Sequence, residues 1–328
     1  MENLIADEPL EELKKGKNLL AFSAGIDSTA LFYILIDCAI DFDCAIVNYH
    51  TRKNSDKEVI YAKELCEKYH KKLFIKEAKI DQKNFEANAR KIRYDFFEKI
   101  IKDHSYDALL TAHQLNDWAE WFLMQFCKGA GFFELNGMRY VERRENYKLI
   151  RPLLKTSKEE LQNYLNDRGI VAFYDESNDD RRFLRNRFRA DFTDRLLAEY
   201  KAGIKLTFNA LQNDRKRFET SDATKSFSKL TLVDKNAIDA AHQVDIAIKK
   251  LGRLTTKNER AKIEKGEDFI AARKIAVCFT DKAIWIAPFE RAITPKKFRE
   301  ECRKLKIPVK IRAYIFNAKI TPDSIDIP

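Results

Sequence analysis

The sequence is poor in glycine and proline, and it has no long apolar run. Its 328 residues include 9 Gly and 7 Pro, too few for a fibrous or linker-dominated chain. No apolar stretch approaches the ~20 residues that span a bilayer, and the acidic first residues lack the apolar core of a signal sequence. We therefore expect no membrane partner and a cytoplasmic location.

The cysteines are also few and widely spaced. There are six, and none forms a C-x-x-C pair. This spacing argues against a structural zinc site, a redox dithiol and a cysteine-held iron–sulfur cluster. Free thiols in a reducing compartment are the simpler interpretation. A chain of this length, with 45% hydrophobic residues, can bury substantial cores without disulfides or metals.

Charge is distributed unevenly along the chain. The net charge is +10, but residues 1–200 carry −2 and residues 201–328 carry +12. A strongly basic second part is typical of a region that holds a polyanion, most plausibly nucleic acid. A solvated basic face without a partner is the alternative. The length and the charge contrast predict two domains that meet near residue 200.

The first part alternates strand-like and helix-like segments. Strands are predicted at 18–22, 44–48, 72–75 and 108–112, and helices at 28–39, 55–69, 84–102, 115–127, 157–168 and 181–200. This alternation predicts an α/β fold with a doubly wound parallel sheet. For the second part we predict a smaller basic α+β unit, with helices near 204–218, 244–251, 257–265 and after residue 295, and strands near 276–279, 283–287 and 309–316.

The first predicted strand runs directly into a loop of small residues and then a helix. The loop reads Ser23-Ala24-Gly25-Ile26-Asp27-Ser28. An open α/β sheet binds its ligand beyond the carboxyl ends of its strands, and a helix N-terminus attracts phosphate. The hydroxyls of Ser23 and Ser28 can add hydrogen bonds. Asp27, an anion in an anion-binding loop, predicts a Mg²⁺ ion or the orientation of another group.

This loop resembles the S-G-G-x-D-S signature of the PP-loop ATP pyrophosphatases, which have the adenine nucleotide α-hydrolase-like fold. The resemblance implies that ATP is cleaved between its α- and β-phosphates. Ala24 stands where the family has glycine. Alanine is tolerable there if the position has a negative φ.

Later segments resemble the tRNA(Ile)-lysidine synthetases. Arg52-x-x-Ser55-x-x-Glu58 follows the second strand, although Tyr49 stands where the family usually has histidine and His50 lies beside it. On the long helix, Arg90 and Arg93 are three residues apart and share one face, from which guanidinium groups can hold phosphates.

The most diagnostic match follows the fourth strand. Thr111 to Glu120 resembles the family's A-H-H-x-D-D-Q-A-E, with His113, Asp117 and Glu120 retained. Gln114 replaces the second histidine and Asn116 the first aspartate. Asp117 and Glu120 lie three apart on a helix, a pair that suits an ammonium group or Mg²⁺.

Further matches cover R-P-L-L at 151–154, D-x-S-N at 175–178 and R-N-x-x-R at 185–189. Five arginines fall within residues 181–189, and on one helix they cannot all face the same way. Contacts to tRNA phosphates and to ATP are the expected role, and a solvated charge run is the alternative.

The resemblance implies domain identities and residue roles. It makes residues 1–200 the ATP-binding catalytic domain and residues 201–328 a tRNA-binding domain, and it is compatible with a homodimer. The expected substrates are ATP with Mg²⁺, free L-lysine and the tRNA(Ile) that carries a CAU anticodon. The expected ATP-binding residues are Ser23, Ala24, Gly25, Ile26, Asp27, Ser28 and Arg93. The expected catalytic residues are Asp27, which also binds the metal, Asp117 and His113. Lysine is expected at Asp117 and Glu120, and tRNA phosphates at Arg181, Arg182, Arg185, Arg187 and Arg189.

Three alternatives stay open at this point. A PP-loop tRNA thiolase typically needs catalytic cysteines or C-x-x-C pairs, and the chain lacks the latter. A small-molecule amidotransferase ligase would leave the basic second part unexplained. A non-catalytic nucleotide- or RNA-binding relative would account for the departures at Ala24, Tyr49, Gln114 and Asn116.

Overall fold

A computed structural model describes residues 4–50, 55–79, 85–173, 181, 183–219 and 223–327. The chain divides into two compact units, Met1–Gln212 and Asn213–Pro328. The sequence predicted the division at residue 200. A long helix kinks there, at Tyr200, but it continues to Phe218, and the boundary between the units therefore falls inside a helix and not in a linker.

The first unit alternates strands and helices, as predicted. In chain order the elements are α1 Asp7–Leu13, β1 Asn18–Ala21, α2 Ile26–Asp37, β2 Phe42–Asn48, α3 Ser55–Lys68, β3 Leu73–Glu77, α4 Phe85–His104, β4 Ala108–Leu110, α5 Leu115–Phe126, α6 Phe132–Leu135, β5 Val141–Arg143, β6 Lys148–Ile150, α7 Lys158–Asn166, α8 Leu184–Phe188, a π-helical turn Arg189–Thr193, and α9 Asp194–Phe218.

Six strands form one sheet in the order β3-β2-β1-β4-β6-β5. All neighbours are parallel except β5, which pairs with β6 in the antiparallel direction. The prediction of a parallel doubly wound sheet is confirmed. The strand order reverses between β1 and β4, and ligands of open α/β sheets bind at such a switch point, beyond the carboxyl ends of the strands.

The sheet is covered on both faces, which explains why its central strands β1 and β4 are almost entirely apolar. Successive residues of a strand point to opposite faces. Leu20 and Leu110 belong to the core cluster that includes α2, α3 and α7, whereas Leu19 and Leu109 pack with Phe97 of α4.

The first unit also differs from the predictions. Its elements α1, α6, β5 and β6 were not predicted, and Val141–Arg143 pairs with β6 as a hairpin. The single helix predicted over 181–200 is instead α8, the π-helical turn and the start of α9. Near α7 the prediction is confirmed: Ser157 caps the helix and exchanges hydrogen bonds with Glu160.

The second unit is a five-stranded antiparallel sheet with helices, in the order β7-β8-β11-β10-β9. Its elements are β7 Thr224–Phe227, β8 Leu230–Asp234, α10 Ala240–Lys250, α11 Lys257–Lys265, β9 Phe269–Ala271, β10 Ile275–Phe279, β11 Ala283–Pro288, α12 Lys296–Lys304, α13 Val309–Asn317 and a 3-10 turn Pro322–Ser324. The sequence reading missed β7, β8 and β9.

The predicted strand near 309–316 is wrong, since this segment is helix α13. Its apolar residues alternate locally, which favours a strand. The buried residues, however, are Ile311, Tyr314 and Ile315, a helical spacing. They complete the core cluster that includes Trp285 of β11, and this packing overrides the local pattern.

None of the helices in the described part of the chain combines the length and the apolarity needed to cross a membrane.

Candidate active site

The phosphate loop and the histidine segment lie side by side at the switch point. In the parallel pairing of β1 with β4, Leu20 lies opposite Leu110. Ser23 follows Leu20 by three residues, and His113 follows Leu110 by three residues. The structure brings together the two segments that the sequence identified separately.

The loop is held by the hydroxyl of Ser28. This oxygen accepts a hydrogen bond from the backbone N–H of Ser23 (3.2 Å) and donates one to the carbonyl of Gly25 (3.1 Å). The hydroxyl of Ser23 lies 3.1 Å from it. Gly25 precedes α2 in an extended conformation. Because the first N–H groups of a helix lack intrahelical acceptors, the start of α2 is suited to bind phosphate.

Ala24 does not have the negative φ at which alanine is readily tolerated. Its φ is 59°, in the left-handed region that costs a non-glycine residue about 1–2 kcal/mol. The carbonyl of Ala24 accepts a hydrogen bond from the backbone N–H of Phe173 (3.1 Å), and Gly25 forms a bridge with the same residue. These contacts hold the strained residue in place. The family glycine therefore has a conformational reason, and this chain tolerates alanine at an energetic cost.

Asp27, in the first turn of α2, is an unusual carboxylate. Its buried Oδ1 has no hydrogen-bond partner among the described residues. Burial, and secondarily the charge of Asp117, raise the pKa of Asp27 to about 7, although Lys158 and Arg189 oppose the shift. A cation that approaches a carboxyl group with such a raised pKa favours its ionised form.

Asp117 is ionised in spite of its burial. Burial acts to raise the pKa of this carboxyl group, but Arg185, His113, the backbone N–H of Gln114 and Arg189 together outweigh it, and the pKa lies below its usual value. The backbone N–H of Gln114 donates to its Oδ2 (3.0 Å). Two carboxyl groups of one site thus have pKa values that are shifted in opposite directions.

Glu120 and Asp117 are both bound by arginines of the segment that follows α7. The exposed fraction of the Glu120 side chain is 1%. Arg185 Nε donates to Glu120 Oε2 (2.7 Å), and Arg189 Nη2 donates to the same oxygen (3.2 Å). Arg185 also pairs with Asp117. The acids expected to bind lysine and two of the arginines expected to bind tRNA therefore form one cluster.

His113 is partly buried, and its Nδ1 lies 2.9 Å from the hydroxyl of Thr111. Burial lowers the pKa of His113 to about 4, although the charge of Asp117 opposes the shift. The imidazole is therefore neutral near pH 7 and has a nitrogen that can accept a proton.

The two departures in the histidine segment have structural roles. The side-chain oxygen of Gln114 accepts from the backbone N–H of Asn116 (2.5 Å) and so caps α5. Asn116 donates to Asp194 (3.1 Å) and accepts from the backbone N–H of Lys158 (3.2 Å). These contacts join α5 to α7 and α9, and neither departure requires a loss of activity.

The remaining predicted arginines lie elsewhere. Arg187 is exposed, and Arg181 is exposed and paired with Asp191. On α4, Arg90 and Arg93 are both exposed, and Arg90 lies over the ring of Tyr94. The predicted Arg52, Arg182 and the segment 175–178 lie outside the described residues.

Sequence reasoning missed Lys158, whose charge acts on Asp27; its only sequence signal was its place after the capping residue Ser157. Arg151, in the R-P-L-L segment, is buried and donates to the carbonyl of Arg139 (3.1 Å) and to Glu142 (3.0 Å). Arg151 therefore holds strand β5 against β6.

The described residues contain no group of three or more His, Cys, Asp or Glu side chains arranged to hold a metal ion. Mg²⁺, however, is commonly bound by one or two carboxylates together with substrate phosphates. The unpartnered Oδ1 of Asp27 beside a phosphate-binding helix end fits such a site.

The strain at Ala24 can be tested against a buried alanine in regular helix. Ala24→Gly removes the strain of a left-handed alanine but increases the conformational entropy of the unfolded chain. The free energy of unfolding should therefore either rise or stay within about 0.5 kcal/mol of the wild-type value. Ala30→Gly, inside α2, should lower it by about 1–2 kcal/mol. Urea unfolding in a Trp285→Phe background measures this, because the remaining tryptophans, Trp118 and Trp121, report the first unit. Equal losses at both positions would contradict the argument.

The raised pKa of Asp27 predicts a pH-dependent cost of folding. The protonated form is favoured in the folded chain, so stability is retained below about pH 4 and lost as the pH rises to about 7. Without nucleotide, the free energy of unfolding of Asp27→Asn should therefore exceed that of the wild type by about 2–4 kcal/mol above pH 7. Near pH 4 the two free energies should differ little. Urea unfolding across this range measures the difference. Asp103→Asn, an exposed change on α4, should show no such trend; the same trend in both variants would refute the assignment.

The buried arginine–glutamate cluster should matter more than an exposed pair on the same segment. Glu120→Gln removes the carboxylate that pairs with the guanidinium groups of Arg185 and Arg189. This loss should lower the free energy of unfolding by about 3 kcal/mol. Asp191→Asn, which removes the partner of exposed Arg181, should cost less than about 1 kcal/mol. Urea unfolding compares the two. A similar small cost for both would show that the cluster does not hold the segment in place.

A family profile described as a PP-loop domain matches residues 2–196. A tRNA(Ile)-lysidine synthase of Campylobacter jejuni strain RM1221 is 46% identical over 322 residues, which cover 98% of this chain and 99% of the relative. A protein of the same name from Wolinella succinogenes is 40% identical, with 98% and 99% coverage. The U34-tRNA thiolase of Methanococcus maripaludis, solved with its [4Fe-4S] cluster, aligns with a TM-score of 0.53 at 17% identity, covering 78% of this chain and 89% of that one. That likeness shows the fold alone. The near-full-length matches show more: this chain belongs to the PP-loop domain family and, within it, to the tRNA(Ile)-lysidine synthases.

Proposed function

We propose that the protein is a cytoplasmic ligase that forms a C–N bond between lysine and C2 of the wobble cytidine in the CAU anticodon of tRNA(Ile). The reaction uses ATP and yields lysidine, AMP and pyrophosphate. The near-full-length similarity to tRNA(Ile)-lysidine synthases carries the choice of substrates. The geometry at the switch point supports the chemistry. A thiolase would need reactive cysteines at the site, and the described residues that form the site include none.

ATP is placed with its phosphates on the loop from Ser23 to Ser28. The hydroxyls of Ser23 and Ser28 and the N-terminus of α2 converge there. Asp27 would hold Mg²⁺, which neutralises phosphate charge as it develops during transfer. The approach of this cation would favour the ionised form of Asp27. Arg93, exposed on α4, is available to the nucleotide.

The chemistry proceeds in two steps. The O2 of the cytidine attacks the α-phosphorus of ATP, the bond to the β-phosphate oxygen breaks, and pyrophosphate leaves. The ε-amine of lysine, after losing a proton, attacks C2 of the activated base, and AMP leaves with the O2 oxygen. The unstacked bases of an anticodon loop make this cytidine accessible.

Lysine enters a site where its counter-charges are shared. Its ammonium group would bind Asp117 and Glu120, which already accept hydrogen bonds from Arg185 and Arg189. A buried acid pair cannot fully satisfy three cations, so binding of lysine requires the arginines to release part of their contacts. His113, neutral near pH 7, would accept the proton that lysine must lose.

The second unit supplies the charge for tRNA. Residues 213–328 carry a net charge of +10, whereas residues 1–212 are neutral. Positive charge of this size draws the phosphate backbone non-specifically. The first unit then acts on a base, and the second unit contributes affinity.

Release of pyrophosphate from ATP tests the proposal. Four mixtures are compared: no tRNA, total tRNA, total tRNA with lysine, and total tRNA with the other amino acids. We expect release that depends on tRNA, with stable transfer to tRNA of lysine alone. Release without tRNA would indicate a small-molecule ligase. Bound ATP or tRNA with no release in any mixture would indicate a non-catalytic relative.

A single substitution separates catalysis from binding. Asp27→Asn should abolish tRNA-dependent release of pyrophosphate, because the metal loses its anionic ligand, while the affinity for tRNA stays nearly unchanged. Asp103→Asn is the matched control and should retain activity. Filter binding and pyrophosphate release measure the two properties. Normal activity of Asp27→Asn, or loss of its tRNA binding, would exclude the proposed role.

A further inference from the structure

The segment that carries the site arginines also presents an apolar row to solvent. Its members recur at every fourth position across α8, the π-helical turn and α9. They are Leu184, Phe188, Phe192, Leu196 and Tyr200, named here the aromatic row; Phe188 is half-buried and the other four are exposed. The exposed fraction is 52% for Phe192 and 58% for Tyr200. The rings of Phe188 and Phe192 lie 5.5 Å apart.

The position of this row is fixed by the residues that directly follow its members. Arg185 and Arg189 bind Asp117 and Glu120, and Thr193 and Leu197 are buried. The inward row is therefore anchored at the active site. The aromatic row, one residue earlier at each step, must run beside the site on the outer surface.

Charged side chains lie along the same segment. Arg187 and Arg195 are exposed there, and Asp191 and Glu199 alternate with them at every fourth position, so this flank of the row carries no net charge. Exposed aromatic rings with arginines between them are the composition that binds unpaired RNA bases, since rings stack on bases while guanidinium groups meet phosphates. Continuity of the row with the site of a chain similar to tRNA-modifying enzymes favours RNA as its occupant over a second copy of the chain.

We propose that the aromatic row is a stacking platform for unpaired bases of the anticodon loop that flank the reacting cytidine. This inference rests on the proposed function, because it requires a single-stranded loop at the active site. Phe192 and Tyr200 supply the exposed rings, and Arg187 and Arg195 meet the phosphates between the stacked bases. The row thereby contributes affinity that does not depend on salt.

Binding of an anticodon stem–loop RNA with the CAU loop tests the platform by fluorescence anisotropy over a series of salt concentrations. Phe192→Ala should weaken binding by between about 5-fold and about 150-fold at every salt concentration, with an unchanged slope of log affinity against log salt. Arg187→Gln should instead reduce that slope by about one unit. Ile60→Ala, an exposed apolar change on α3, should alter neither property.

Substitutions by size and ring character identify the occupant. Phe192→Trp should keep the wild-type affinity, because it retains a stacking ring, whereas Phe192→Leu should lose as much as Phe192→Ala. Equal binding by the leucine and wild-type chains would overturn base stacking. If the wild type sediments as a dimer and Phe192→Ala as a monomer with unchanged RNA affinity, the row is instead a contact between two copies of the chain.

The outcome for the platform is separate from that for the proposed function. Transfer of lysine to tRNA by the wild-type chain tests the function. Wild-type transfer with unchanged RNA binding by Phe192→Ala would refute the platform alone. Absence of transfer by the wild-type chain would refute the function. Unfolding curves of the exposed variants should match the wild type, and a shift in them would overturn a surface role for Phe192.

Discussion

The active site depends on one buried carboxylate and the two guanidinium groups that bind it. Glu120 is almost fully removed from water and accepts hydrogen bonds from Arg185 and Arg189. A buried charge of this kind is tolerated only when it is paired and hydrogen-bonded. The requirement fixes the arginine segment against α5, and α5 begins at the switch point of the sheet. The chemistry of one side chain therefore sets where a distant part of the chain lies.

The same cluster divides the carboxyl groups of the site into two kinds. Arg185, His113, the backbone N–H of Gln114 and Arg189 together hold the pKa of Asp117 below its usual value against its burial, whereas burial and the neighbouring charge of Asp117 raise the pKa of Asp27 to about 7. Environments that separate the pKa values of nearby acids commonly assign them different roles. Asp117 is a permanent anion, suited to an ammonium group. Asp27, with a pKa of about 7, is driven toward its ionised form by an approaching cation, which suits a residue that meets a metal together with phosphates.

The sequence predicted the parts of the site that depend on local patterns. The alternation of strands and helices predicted the parallel sheet, and the motifs after β1 and β4 were brought to one edge by that topology. The contact of Arg185 with Glu120 was not predicted, because 65 residues separate them and no periodicity links them. The left-handed φ of Ala24 follows from the contact with Phe173 and not from its neighbours in sequence. Helix α13 was missed because burial against β11 decided its conformation, while its alternating residues indicated a strand.

The π-helical turn explains how one segment serves two surfaces. With 3.6 residues per turn, positions four apart drift by about 40° around a regular helix, so a row of five would wind halfway around it. A wider turn drifts in the opposite direction, and Arg189–Thr193 places such a turn between two α-helical parts. The drift is thereby reduced, and Arg185, Arg189, Thr193 and Leu197 all remain directed inward. Leu184, Phe188, Phe192, Leu196 and Tyr200 form the adjacent row for the same geometric reason. The π-helical turn that aligns the arginines with the acids therefore also aligns the outer row. Turns of this kind occur frequently at functional sites.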